Sequence, residues 1–131
     1  MKLTPSIAMI AAIGIAGCVE TTSAGDAPFV RVTDGAAFSA ATVGRKIVNV
    51  SDGDARFFRL NADGTMGGTY GNGPLAGTWS FDGGYWCRTW TAGLKPESLN
   101  RRDCQLAELR PGQVRLTRDR GNGNSGTFNL R

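Results

Sequence analysis

The 131-residue chain contains no histidine, which removes the side chain most used as a general base and as a metal ligand near neutral pH. Three cysteines are present, none in a Cys-x-x-Cys pair, which disfavours a dithiol redox role, and the missing histidine disfavours a metal site. No serine lies in a nucleophile-elbow context. No strand-Gly-x-Gly-x-x-Gly-helix unit occurs either, and with it goes the usual nicotinamide site. Long apolar runs are scarce too. The longest, from about Ile7 to Ile15, is too short to cross the ~30 Å hydrocarbon core of a bilayer. These absences together lead to the expectation that the protein is not an enzyme and needs no cofactor or metal.

What the N-terminus does contain is Lys2, the apolar run, and then Ile15-Ala16-Gly17-Cys18, which is the organisation of a signal peptide. The last four residues resemble a bacterial lipoprotein lipobox. That resemblance implies that residues 1–17 are a signal peptide cut before Cys18, that the Cys18 sulfur carries a diacylglyceryl group, and that its new amino group is acylated, with palmitate the expected chain type. Residues 18–28, small and polar, are then a lipidated tether, and residues 29–131 form a single β-rich domain. Val19 follows the cysteine where an aspartate would favour inner-membrane retention. The expected location is therefore the cell envelope, lipid-anchored in the outer membrane and facing the periplasm, with the bilayer as one partner and no nucleic acid.

With Cys18 taken by lipid in an oxidising compartment, Cys87 and Cys104 remain as an even pair, best read as one disulfide. Such a bridge is worth on the order of 3 kcal/mol through its constraint on the unfolded chain. Charge is distributed unevenly. Residues 18–87 carry 5 basic and 7 acidic side chains, whereas residues 88–131 carry 9 and 4. An anionic partner is one explanation for this asymmetry; arginines solvating the outer face of strands are another.

Along the domain, Thr33 is placed to cap a short helix, Asp34 suits its positive end, Ala36, Ala37, Phe38, Ala40 and Ala41 favour it, and Gly44 ends it. The apolar period then changes to two, with turn residues every eight to twelve positions. The strands expected are 46–50, 55–60, 65–70, 76–81, 85–91, 103–110, 113–118 and 127–130, joined by hairpins such as Asn61-Ala62-Asp63-Gly64, Gly71-Asn72-Gly73-Pro74 and Asp82-Gly83-Gly84. The fold class is all-β and mainly antiparallel: an eight-stranded meander closed into a small lipocalin-like barrel, or flattened into a sandwich, so that its edges are not left open.

Alternation on the strand at 85–91 puts Trp86, Arg88 and Trp90 on one face and Tyr85, Cys87 and Thr89 on the other. Packing of a core explains these aromatics; a platform of Trp86, Arg88 and Trp90 that stacks a ring or headgroup is the functional alternative. It requires an apolar cavity reaching solvent beside Trp86 or Trp90. Phe57 and Phe58 must face opposite sides, one covering the core and the other meeting the helix or an end of the barrel. The loop Gly121 to Gly126, with Arg118 and Arg120, is a second candidate anion site through its backbone amides. Ser51-Asp52-Gly53-Asp54 and Asn61 to Thr65 look like the start of calcium loops but lack the downstream glutamate of an EF-hand, and turn chemistry explains them.

Several segments together, Arg31-Val32-Thr33-Asp34, Phe38, Gly44-Arg45, Asp63-Gly64, Gly77-Thr78-Trp79, Gly84-Tyr85-Trp86-Cys87-Arg88, Asp103-Cys104-Gln105 and Arg118-Asp119-Arg120-Gly121, resemble a group of small exported alphaproteobacterial proteins over residues 29–131. The group has no established activity. A dihydrodipicolinate reductase label attached to some look-alikes finds no support in this sequence, for want of a nicotinamide motif. The lipobox is a departure from the group, whose members look simply secreted. The function expected is a non-catalytic binding or interaction module, for an envelope protein or an amphiphile. A structural envelope component without a ligand is the alternative.

Overall fold

The structure, a computed structural model, describes residues 27–131. Cys18, the signal peptide and most of the tether lie outside the described residues. The chain order is β1 (Val30–Arg31), α1 (Gly35–Thr42), β2 (Ile47–Asn49), β3 (Gly53–Leu60), β4 (Thr65–Tyr70), β5 (Gly73–Asp82), β6 (Tyr85–Ala92), β7 (Arg102–Arg110), β8 (Gln113–Thr117) and β9 (Ser125–Leu130).

From β2 onward each strand pairs antiparallel with the next, and β9 returns to pair with β2 through Ile47↔Leu130, Val48↔Asn129 and Asn49↔Phe128. The eight strands therefore close into a barrel, which removes both sheet edges. A ninth strand, β1, was not legible as alternation because it has two residues. It pairs with β7 at Leu109 and Glu108, beyond the Arg102–Gln105 stretch that pairs with β6. It thus covers the part of the β7 edge that β6 leaves free.

Turn chemistry sets the register. Gly83 and Gly84 both have positive φ, 59° and 84°, the two-residue hairpin geometry that matches strand twist. The β4–β5 turn is shorter than expected: only Gly71 and Asn72 stand outside the strands, and Pro74 is already paired with Thr69, close to a strand start where its missing N–H is tolerated. Facing the lumen, Gly77 lies where a Cβ would come within 2.5 Å of Thr89 O and 2.8 Å of the Met66 Cε. The absence of a side chain there is what lets neighbouring strands and Trp90 approach.

Helix α1 is capped by Asp34, whose Oδ1 accepts from Ala36 N at 3.2 Å, rather than by Thr33. Asp34 is thus the cap itself, because its backbone is extended while the next residue is already helical. The helix ends at Thr42 because Val43 is already extended, and Gly44, at φ 79°, turns the chain only after that, not at the helix end expected for it. Phe38 is 1 % exposed and plugs one end of the barrel, its ring 5.1 Å from Phe81, 6.2 Å from Trp79 and 6.3 Å from Trp86. At the same end, Trp79 Nε1 donates to Asn61 O. Phe58 faces the core and Phe57 the outside, as alternation requires, but Phe57 meets Lys46, whose Nζ lies 4.3 Å from its ring centroid, and not the helix.

Candidate functional site

The end of the barrel away from α1 is open. Strand alternation on β6 turns Trp86, Arg88 and Trp90 inward together, and they line a cavity of about 350 Å³. Small-molecule sites occupy roughly 300–1,000 Å³. Its apolar wall is formed by Trp86, Trp90, Phe58, Phe128, Leu75 and Leu116. Phe58 is the hub, stacked on Trp86 at 5.8 Å and edge-on to Trp90 and Phe128 at 5.8 and 5.6 Å. Trp86 is 2 % exposed, and its buried Nε1–H has no hydrogen-bond acceptor among the described residues.

The mouth is basic. Arg56, Arg88 and Arg118 line the cavity, and an adjoining groove that shares all three adds Lys95, Arg101 and Arg102 together with Glu97, Asp103 and Asp119. Arg88 is the most deeply placed, its side chain 11 % exposed and its guanidinium 3.4 Å from Asp103 Oδ2. Burial lowers the Arg88 pKa from its ordinary value; the charge of Asp103 opposes that shift, and the like charge of Arg118 adds to it. The guanidinium nevertheless remains protonated at physiological pH, because the ordinary arginine value is so high. Asp103 also accepts from Gln105 Nε2 at 2.7 Å and from Asp119 N at 3.1 Å, so both its oxygens are engaged. Arg56 is paired with Asp52 at 3.2 Å and stacks 4.3 Å over the Tyr70 ring. Arg118 is exposed and has no ion-pair partner among the described residues.

The disulfide joins Cys87 to Cys104 across β6 and β7. These two residues are direct register partners, flanked by Arg88↔Asp103 and Trp86↔Gln105. The bridge on the outer face therefore pins the two pairs that build the cavity on the inner face. Leu106 lies on the side of the bridge, against Gly121 of the turn that follows β8.

Of the residues singled out from sequence, Trp86, Arg88, Trp90 and Arg118 come together. Arg120 does not: it stands outside the barrel, 5.7 Å from the Tyr85 ring centroid, with Arg31 at 5.0 Å from the same ring. The loop Gly121 to Gly126 offers no amide nest. The N–H groups of Gly121 and Gly123 go to Arg118 O and that of Asn122 to Asp119 O, so they are spent within the turn. Among the described residues no three Cys, Asp or Glu side chains converge as metal ligands. Asp63 Oδ1 accepts instead from the backbone and hydroxyl of Thr65.

Sequence reasoning passed over Arg56, Tyr70, Asp103 and Gln105. A signal for Arg56 was present: it shares a strand face with Phe58 and Leu60, and a charge on a core-facing position is a marker of function or of an open end. Comparison with protein-family models, with curated proteins and with solved structures finds no match to this chain.

Proposed function

We propose that this chain is a lipid-anchored envelope protein whose barrel binds a small amphiphile in its open end without transforming it. The observation that carries the reading is the cavity: an aromatic wall centred on Phe58, Trp86 and Trp90, reaching solvent through a polar mouth. A mostly apolar concavity with a few polar groups at one side is the usual form of a small-molecule site. The groups at the mouth are suited to holding rather than to reacting. Arginines stay protonated at physiological pH and do not shuttle protons, and the Asp103 carboxylate is committed to three donors. Anchoring through Cys18, with residues 19–28 as a tether, is part of the same proposal and rests on the lipobox resemblance.

The test is a fluorescence titration with N-phenyl-1-naphthylamine, a neutral apolar probe. Saturable one-to-one binding, displaced by decanol and lost in Leu116→Trp, which fills the cavity, is the expected result. No saturable binding to the folded protein would end the reading. Anchoring is checked separately by membrane fractionation of Cys18→Ser, which should move the protein to the soluble fraction.

A further inference from the structure

Charge at the mouth does not balance. Asp52 answers Arg56 at 3.2 Å and Asp103 answers Arg88 at 3.4 Å, but Arg118, on the same cavity, has no acidic partner among the described residues. Arg88 and Arg118 act on each other as like charges. Two guanidinium groups that share a partly desolvated cavity with one carboxylate leave about one positive charge unneutralised. Arg88 is buried beside its carboxylate while Arg118 stands exposed at the rim of the same cavity, so the excess charge lies where an entering anion can reach it.

The loop beside them is also held under strain. Asp119 and Arg120 both adopt left-handed backbone, at φ 51°, a conformation that costs non-glycine residues on the order of 1–3 kcal/mol. The Asp119 N–H is tied to Asp103 Oδ1. The loop that carries Arg118 to the mouth is thereby fastened to the carboxylate that positions Arg88.

We propose that the ligand is a single-chain amphiphile with a monoanionic, carboxylate-type head held between Arg88 and Arg118, its tail lying against Trp86, Trp90 and Phe58. This inference rests on the binding reading above and specifies the head-group that the site selects. A guanidinium presents its donors as a planar fork that matches the two oxygens of a carboxylate. One uncompensated positive charge calls for one negative charge, so a dianionic head or a cationic one is disfavoured. The adjoining groove, lined by Lys95, Arg101 and Arg102 and also by Glu97, Asp103 and Asp119, keeps a positive excess that draws anions toward the mouth.

The experiment compares decanoate, decanol and decyltrimethylammonium, each below its micelle concentration, by intrinsic tryptophan fluorescence at pH 7.5, on the wild-type protein and on Arg118→Gln. Decanoate should bind at least about tenfold more tightly than decanol, the scale of one charge-assisted hydrogen bond, and the cation more weakly than either. In Arg118→Gln the preference for decanoate over decanol should fall to within about threefold; since Arg118 is exposed, the variant should fold, as its thermal melt will show. Equal binding of decanoate and decanol to the wild type would overturn the head-group inference and leave the cavity reading standing. Binding of none of the three would remove both. Full preference retained by Arg118→Gln would overturn the clamp.

Discussion

The two ends of this barrel are built from the same strands but solve opposite problems. At the closed end α1 lays Phe38 over the lumen, and Phe38, Trp79, Phe81 and Trp86 share contacts; Ile47, Leu60, Ala107 and Val114 beneath are 0–1 % exposed. At the open end inward positions are given to Arg56, Arg88, Asp103 and Arg118, and the space between them stays unfilled. Trp86 lies between the two, in contact with Phe38 on one side and Phe58 on the other. Packing and open space are thus separated along the barrel axis: one end is filled by buried side chains, and the other keeps a cavity.

That division can be broken most forcefully at the plug. Phe38→Ala should cost about 3–5 kcal/mol, the range for removing a buried Phe, read as a shift in the urea midpoint. A loss below about 1 kcal/mol would show that the helix is an ornament on the barrel rather than its plug. A finer comparison adds volume at both ends. Ala107→Leu, at a site with no exposure, should destabilise by about 1–3 kcal/mol through overpacking. Leu75→Phe, on the cavity wall, should change stability by less than about 1 kcal/mol while weakening probe binding. Equal costs at the two positions would mean that the open end is as tightly packed as the closed one.

The smallest expected effect concerns acid stability at the closed-end β3–β4 turn. Hydrogen bonds from the Thr65 hydroxyl and backbone lower the Asp63 pKa from its usual value. The folded state therefore takes up a proton less readily than the unfolded one, and its contribution is complete above the ordinary carboxylate value of about 3.9 and lost as pH falls through the lowered folded value. Asp63→Asn keeps an acceptor but cannot titrate. Its melting temperature should fall less steeply than that of the wild type between about pH 4 and pH 2; parallel curves would exclude a part for Asp63 in acid unfolding.

Much of the barrel could be read along the chain because its information is local. Period-two alternation with glycine and asparagine turns located all eight barrel strands, and their borders moved by only a few residues, as where β5 begins at Gly73 and not Ala76. The disulfide followed from the number of cysteines and the compartment expected from the lipobox resemblance. Half of the candidate site was also legible, since Trp86, Arg88 and Trp90 share one face of one strand. The other half, Arg56, Tyr70, Asp103 and Gln105, comes from β3, β4 and β7, and only closure brings these strands around one lumen.

The sequence by itself determined that the domain is antiparallel β, where its hairpins turn, and which side chains of a strand keep company, because neighbouring residues on an extended chain must point to opposite faces. Tertiary structure decided that β9 closes on β2, that α1 seals one end and that arginines gather at the other. Alternation says which residues share a face but not which end of a barrel is covered, and that choice depends on contacts between residues far apart in sequence, such as Phe38 with Trp86 and Arg88 with Asp103.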